Sequence, residues 1–290
     1  MTIKTILITG ATAGIGKAAA IELAKKGHTI ILHGRCLQKA EETQSEIINL
    51  TGNTKVEIVI ADLFLIKDVA ILAETVKRKH QTLDVLINNA GGIMSKVREV
   101  TTEGIEKTMA VNLFAPYLLT TLLLPLLKKS SDGRVINVSS NSHQLNAKPD
   151  FSDLQLEKNY DPLRAYGNSK LFLIWITEHF ALEYKQRGFS NLKFNSLHPG
   201  AVKSNFGVDS DLGSILNFIG RMARPLFKSA VQGADTLVYL ATSEEVKDSS
   251  GNYFENRKKS KVSTRYYSEK NAKYVWQYCE AITQDFISKK

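Results

Sequence analysis

Short runs of β-branched and aliphatic residues alternate along this chain with longer stretches whose apolar positions recur at three- and four-residue steps. The runs near 3–9, 29–33, 55–61, 83–88, 134–138 and 192–198, with a last short one near 252–254, predict strands. Helical spacing fills the intervals near 14–27, 37–51, 66–80, 101–129 and 164–187, and again near 210–228, 230–243 and 268–287. Strands alternating with helices in this way argue a mainly parallel sheet with helices on both faces. The expectation is one doubly wound α/β domain over residues 1–290, with seven strands in its sheet. No internal repeat and no break in composition marks a second domain. Two stretches read as loops: 141–163, polar with Pro149 and Pro162, and 204–229.

The longest uncharged run, "VNLFAPYLLTTLLLPLL" (111–127), is interrupted by Pro116 and Pro125. It falls short of the roughly 20 residues that span a bilayer, so it reads as a buried helix. The opening "MTIKTILITG" has no signal-peptide or transit-peptide pattern, and the expected compartment is cytoplasmic. With 43% hydrophobic and 23% charged residues the composition is that of a globular domain. Cys36 and Cys279 have no ligand spacing and the six histidines include no H-E-x-x-H pair, so neither a disulfide scaffold nor a metal site is expected. A net charge of +9 raises nucleic acid as a partner. The charge is scattered, no recognition module is present, and the one dense run, "RKKSK" (257–261), reads as a solvated loop. No nucleic-acid partner is expected.

Candidate chemistry begins at "ILITGATAGIGKAAA" (6–20), a strand, a glycine-rich turn and a helix start. Gly10, Gly14 and Gly16 are spaced G-x-x-x-G-x-G. Glycines there let the backbone approach a pyrophosphate, while the helix N-terminus offers unpaired N–H groups and a positive dipole end. The second strand ends His33-Gly34-Arg35, with no acid before Glu41 to bind a ribose 2′-hydroxyl. Arg35, with Lys39 a turn later, instead matches the 2′-phosphate of NADP(H). Asp62 in "VIADL" either caps the next helix or meets an adenine amino group. In "VLINNAGG" (85–92) the paired Asn88 and Asn89 either brace the sheet edge or touch the cofactor.

"YGNSK" sets Tyr166 four residues before Lys170, which stacks phenol and ammonium on one face of a helix. "YYSEK" repeats the spacing at Tyr266 and Lys270, so spacing alone does not choose between a catalytic pair and a solvated face.

Taken together, "TGATAGIG" (9–16), "DL" (62–63), "NNAG" (88–91), Asn112 in "AVNLFAPYLLT", "VINVSS" (135–140), "YGNSK" (166–170) and "HPGAVKS" (198–204) resemble the short-chain dehydrogenase/reductase family. They run in the family's order over nearly the whole chain. The tail "GADTLVYLATSEEVKDSSGNYF" (233–254) and the long spacing from Ser140 to Tyr166 further resemble the retinol dehydrogenase and WW-domain oxidoreductase subgroup. The resemblance implies a Rossmann fold and selects Tyr166 over Tyr266. By it, Tyr166 exchanges the proton, while Lys170 lowers the phenol pKa and binds the nicotinamide ribose. Ser140, rather than its rival Ser139, bonds the substrate oxygen, and Asn112 holds a water linked to Lys170. It further implies cofactor contacts at Gly10, Thr12, Gly14, Ile15, Gly16, Arg35, Asp62, Leu63, Asn89, Ala90, Gly91, Pro199, Gly200, Val202 and Ser204, the last usually a threonine. Two departures stand out. The apolar N-terminal anchor of membrane-bound relatives is missing, and Ala13 replaces the basic loop residue of some NADP users.

The expected function is NADP(H)-dependent interconversion of a carbonyl and an alcohol on a small molecule. A cofactor-binding regulator without turnover is the alternative. Leu212, Ile215, Leu216, Ile219, Met222 and Leu226 give an apolar stripe in the segment after the nicotinamide-side loop. That stripe suggests a lid over a lipophilic retinoid-, steroid- or fatty-aldehyde-like substrate, and Arg221, Arg224 and Lys228 a peripheral membrane contact. "LFLIWI" (171–176), apolar nearly all round, suggests a helix also buried by a partner subunit, and the family resemblance implies a homodimer pairing through the helices near 101–129 and 164–187.

Overall fold

The computed structural model describes residues 2–202 and 228–287. Eight strands form one sheet in the order β3-β2-β1-β4-β5-β6-β7-β8. They are β1 (Thr5–Ile8), β2 (Thr29–Gly34), β3 (Val56–Ile60), β4 (Val85–Asn88), β5 (Gly133–Val138), β6 (Leu192–His198), β7 (Asn252–Glu255) and β8 (Lys258–Lys259). All neighbours pair in parallel except β7 and β8. The central strands are apolar on both faces because helices cover both. One apolar cluster joins Ile6, Ile30 and Ile87 to α1 (Gly14–Lys25), α2 (Leu37–Thr51) and α7 (Ala230–Thr242). The other joins Leu7, Ile31 and Leu86 to α3 (Ile66–Lys79), α4 (Lys107–Leu127), α6 (Pro162–Gln186) and α8 (Glu269–Ile287). Strand residues of alternating parity thus feed opposite layers, as a pleat requires.

The eighth strand corrects the expected count of seven. Asn256 (φ 49°) and Arg257 (φ 61°) turn the chain with two successive left-handed residues, and Lys258–Lys259 then pair antiparallel to β7. Part of the basic run expected as a solvated loop is therefore an exposed edge strand. Its two lysines carry no apolar alternation by which a strand is recognised. Lysines on so short an edge also discourage pairing with another chain.

The helix expected to begin near 101 begins at Lys107. The buried carboxylate of Glu106 accepts from the backbone N–H of Thr108 and Met109, both at 2.8 Å, and ends the preceding turn. Residues Ala110–Phe114 within α4 are π-helical. At 21 residues α4 is long and apolar enough to cross a bilayer, but 89% of its most apolar window is buried within the fold. The loop expected over 141–163 contains one short helix, α5 (Ser142–Leu145).

α8 lies across α3, α4 and α6 and buries Val275, Trp276 and Cys279 among them. The Trp276 indole meets Tyr117 (5.1 Å between ring centroids) and Phe180 (4.7 Å) edge-on and stacks on His179 (4.0 Å). Every residue of 171–176 is already at most 2% exposed within the single chain. The apolarity that suggested a second subunit is met by the sheet and by the protein's own C-terminal helix. Replacing Trp276 with alanine opens this junction and should cost about 3–5 kcal/mol. Urea unfolding should show a lower midpoint at unchanged slope. A change below about 1 kcal/mol would mean that α8 is a passive cover.

Candidate active site

The chain leaves β1 toward β2 and β3, then returns to β4 on the other side of β1. The carboxyl ends of β1 and β4 therefore flank a crevice, the place where open α/β sheets bind ligands. Here the two backbones nearly touch: a Cβ on Gly10 would lie 2.9 Å from Ala90 Cα. Gly10 also has φ +63° and Gly14 +55°, the left-handed region that glycine enters without strain. Gly16 packs under the loop, where a Cβ would sit 2.4 Å from the Gly10 carbonyl oxygen. Ala13, at the N-cap of α1, is extended and its side chain caps nothing. Among the described residues the amides of Gly14, Ile15 and Gly16 have no side-chain acceptor, the first backbone bond of α1 running from Lys17 N to the Ala13 carbonyl (3.2 Å).

Asn89 and Asn88 brace rather than dangle. Asn89 Nδ2 donates to the carbonyls of Thr9 (2.8 Å) and Gly10 (3.1 Å). Asn88 Nδ2 donates to Thr120 Oγ1 (3.2 Å) and Asn137 Oδ1 (2.8 Å). Thr9, which no motif singled out, accepts at its Oγ1 from the amides of both Asn89 (3.0 Å) and Ala90 (2.9 Å). At the adenosine end, Gly34 lets β2 pass close to Thr12, since a Cβ there would stand 2.5 Å from Thr12 Cγ2. The exposed Arg35 guanidinium lies 5.7 Å from the Phe64 ring centroid and has no carboxylate partner among the described residues. Asp62 does not cap α3. Its carboxylate accepts from Phe64 N (3.1 Å), while the first amides of α3 at Ile66 and Lys67 donate to Glu103 at 2.6 and 3.0 Å. Leu63 is buried in the core beneath.

At the other end, Asp161 accepts from Arg164 N (2.7 Å) and Pro162 opens α6, which places Tyr166 and Lys170 one turn apart in its first turns. Both are almost fully buried. The Ser140 side chain stands beside the Tyr166 phenol, and the Lys170 ammonium stands 5.7 Å from the phenol ring centroid while donating to the Val138 carbonyl (2.9 Å). Burial pushes Tyr166 up to about 12, with the Ser140 hydroxyl opposing, and pushes Lys170 down to about 7. The two adjacent serines separate by pleat: Ser139 Oγ donates to the Lys170 carbonyl (2.8 Å), leaving Ser140 to face the phenol. Asn112 sits in the π-helical stretch. Its amide bonds both the N–H (3.0 Å) and C=O (2.8 Å) of Gly92 and reaches Ser169 Oγ (3.2 Å). Gly91 closes the corner, since a Cβ there would lie 2.5 Å from Asn112 Oδ1 and 3.1 Å from Lys170 Nζ. His143, unpredicted, bonds the Ser140 carbonyl through Nδ1 (2.7 Å) and packs edge-on against Tyr253 at 5.0 Å. The rival pair is dispersed: Tyr266 precedes α8, and Lys270 is exposed on it.

A family model described as short chain dehydrogenase matches residues 4–212. The chain belongs to the short-chain dehydrogenase family. Mouse retinol dehydrogenase 12 is 38% identical over 280 residues, covering 96% of this chain and 86% of that protein. Human dehydrogenase/reductase SDR family member 12 is 38% identical over 257 residues, covering 88% of this chain and 77% of its own. Among solved structures, an uncharacterized protein from Mycobacterium paratuberculosis superposes with a TM-score of 0.77 at 28% identity, over 97% of this chain and 93% of that one. A short-chain dehydrogenase from Shigella flexneri, solved in complex with NADP, gives 0.67 at 25% identity, over 88% and 97%.

This short-chain dehydrogenase is an oxidoreductase of the retinol dehydrogenase subgroup. Its residues fit a nicotinamide dinucleotide from end to end. The uncapped amides of α1 suit a pyrophosphate, Arg35 would hold the adenosine end at the carboxyl end of β2, and Lys170, beside Gly91, would hold the other. On the nicotinamide side Gly200 takes φ +88°, and Val202 pairs with Lys228. Val202 also packs with Ile15 against Gly233 of α7, joining this loop to the phosphate loop. Pro199 lies on the same described stretch; Ser204 and the whole apolar stripe of 212–226 lie outside the described residues. Gly16→Ala tests the cradle. Its methyl meets backbone at two points and should cost about 1–3 kcal/mol in urea unfolding. Unchanged stability would mean that the loop yields freely.

Proposed function

We propose that this oxidoreductase uses NADP(H) to interconvert a carbonyl and an alcohol on a lipophilic small molecule, with Tyr166 as its acid–base. The observation that carries the reading is the buried corner where the Ser140 hydroxyl and Tyr166 phenol meet one helical turn from Lys170. A carbonyl oxygen placed there takes hydrogen bonds from both hydroxyls. Because burial holds the Tyr166 proton tightly, up to about 12, the phenol stands protonated at neutral pH, ready to donate during reduction. Oxidation needs the phenolate, which the neighbouring Lys170 ammonium stabilises. Bound here, the nicotinamide supplies or takes the hydride and, oxidised, adds positive charge beside the phenol. Lys170, eased by burial toward about 7, regains its proton when its N–H groups find ribose hydroxyls in addition to the Val138 carbonyl. Asn112 fixes the Gly91–Gly92 turn against this corner, and a water for proton relay bonds what its side chain leaves free.

The choice of NADP(H) over NAD(H) rests on Arg35, a planar cation with no carboxylate partner among the described residues and an aromatic ring 5.7 Å away. The lipophilic substrate is supported by the relatives named retinol dehydrogenases and by the apolar stripe of 212–226 in the sequence. A panel of aldehydes of increasing chain length and the matching alcohols, read by NADPH absorbance in both directions, tests it. kcat/KM should rise with apolar length, and preference for small polar carbonyls would refute the substrate class. On the best substrate, Tyr166→Phe should lower turnover by about two to four orders of magnitude. Tyr266→Phe should leave it nearly intact, and equal losses would overturn the assignment. Arg35→Ala should weaken NADPH about tenfold or more while sparing NADH. Equal affinity of the unmodified protein for both cofactors would rule out the Arg35 reading.

A further inference from the structure

His33 lies near the end of β2, three residues after the fully buried Ile30, and is itself 3% exposed. Both ring nitrogens are engaged, in different directions. Nδ1 lies 3.1 Å from the backbone nitrogen of Gly10, the first residue of the phosphate loop, whose N–H donates to it. Nε2 lies 3.1 Å from the carbonyl oxygen of Ala61, just past β3. A carbonyl can only accept, so Nε2 carries the ring proton and Nδ1 offers its lone pair to Gly10. Only the neutral imidazole does both at once. Burial favours that form, drawing the ring down to about 4 against the opposing pull of the Ala61 carbonyl and Asp62. The His33 main chain adds a third tie, its carbonyl accepting from Ala11 N (2.9 Å).

Gly10 is therefore held from two sides. Its N–H goes to His33, and its carbonyl takes the Asn89 amide at 3.1 Å. With the peptide planes on both sides of Gly10 fixed, the left-handed turn between them has one orientation, and the loop must present its later amides to the crevice. An apolar side chain at 33 would leave the Gly10 N–H unpaired inside the protein, and the peptide would be free to rotate toward other acceptors. The three elements tied by this ring are the ends of β1, β2 and β3, from which the phosphate loop, Arg35 and Asp62 respectively project.

We propose that His33 is a positioning residue of the dinucleotide site, an imidazole staple that sets the phosphate loop by accepting the Gly10 N–H and anchors it to β3 through Ala61. The proposal rests on the reading of this crevice as a nicotinamide-dinucleotide site. Since the pyrophosphate is common to both cofactors, losing the staple weakens NADPH and NADH together, whereas losing Arg35 separates them.

Two near-isosteric variants divide the staple into its halves. His33→Asn keeps an oxygen near the Nδ1 position and can accept from Gly10. His33→Gln keeps an N–H near the Nε2 position and can donate to Ala61. NADPH and NADH affinities are measured by fluorescence titration for the intact protein, both variants and His33→Leu, with urea midpoints for each. His33→Gln and His33→Leu should bind both cofactors about tenfold more weakly, the worth of one hydrogen bond to the loop. His33→Asn should stay within about threefold of the unmodified protein. At saturating cofactor, kcat of His33→Gln should be preserved while KM for NADPH rises. If His33→Leu fails to fold, the Asn and Gln pair alone decides. Affinities that do not separate Asn from Gln, or that merely follow the urea midpoints, overturn the staple. If the unmodified protein binds neither cofactor, the nucleotide reading itself fails, and the staple fails with it.

Discussion

Two backbones must pass within van der Waals contact where β1 and β4 end. Everything else in the cleft depends on this approach. It requires a residue without a Cβ at position 10, because a methyl there would overlap the main chain of Ala90. It also brings the amides of Asn89 and Ala90 together at the end of a strand, where the sheet ladder gives them no partner. An unpaired buried N–H costs about 1–3 kcal/mol. The Thr9 hydroxyl accepts from both, and the Asn89 side chain returns two bonds to the carbonyls opposite. A glycine for space, a hydroxyl for two donors and an amide for two acceptors together make the junction rigid. The phosphate loop and the strand-4 loop can then flank one dinucleotide.

The catalytic end is organised by a different constraint, the burial of an amine beside a phenol. A low-dielectric corner disfavours both charged forms, so it raises the acid and lowers the base. Among the described residues the amine has one neutral acceptor, the Val138 carbonyl at a strand end. Charge in this corner therefore depends on what binds, and the pair takes its working protonation state with the ligand in place. The π-helical stretch of α4 fits the same picture. An extra residue in that turn aims Asn112 at Gly92, directly behind the amine.

Most of the fold was legible because a parallel sheet covered on both faces writes itself as apolar runs between amphipathic stretches. The glycine loop and the Tyr166–Lys170 pair were legible because their chemistry fixes residue types at fixed spacing. What the pattern could not carry was contact between distant residues. β8 escaped notice because two exposed lysines look like loop. The start of α4 was misplaced because a buried glutamate caps it, and that burial is a tertiary fact. Asp62 has the residue type of a cap, yet Glu103, from a loop 37 residues on, does the capping. Resemblance alone selects Ser140 over Ser139; the structure adds the direction of the rival Ser139 hydroxyl, which donates to the Lys170 carbonyl. His33 was visible only as the absence of an acid, because its two ring contacts are to residues distant in sequence.

The C-terminal helix has a bearing on how the chain is made. Residues 269–287 follow every strand of the sheet in chain order, so they emerge after all the strands are available for pairing. Until they arrive, the aromatic surface formed by Tyr117 and Phe180 has no cover, and α4 presents one of the longest apolar faces in the protein to the surrounding solution. A nascent chain in that condition is a client for chaperones and a target for its own neighbours on the polysome. Docking of α8 ends that exposure, so a chain broken off before Glu269 would keep a nearly complete sheet with its stickiest flank open.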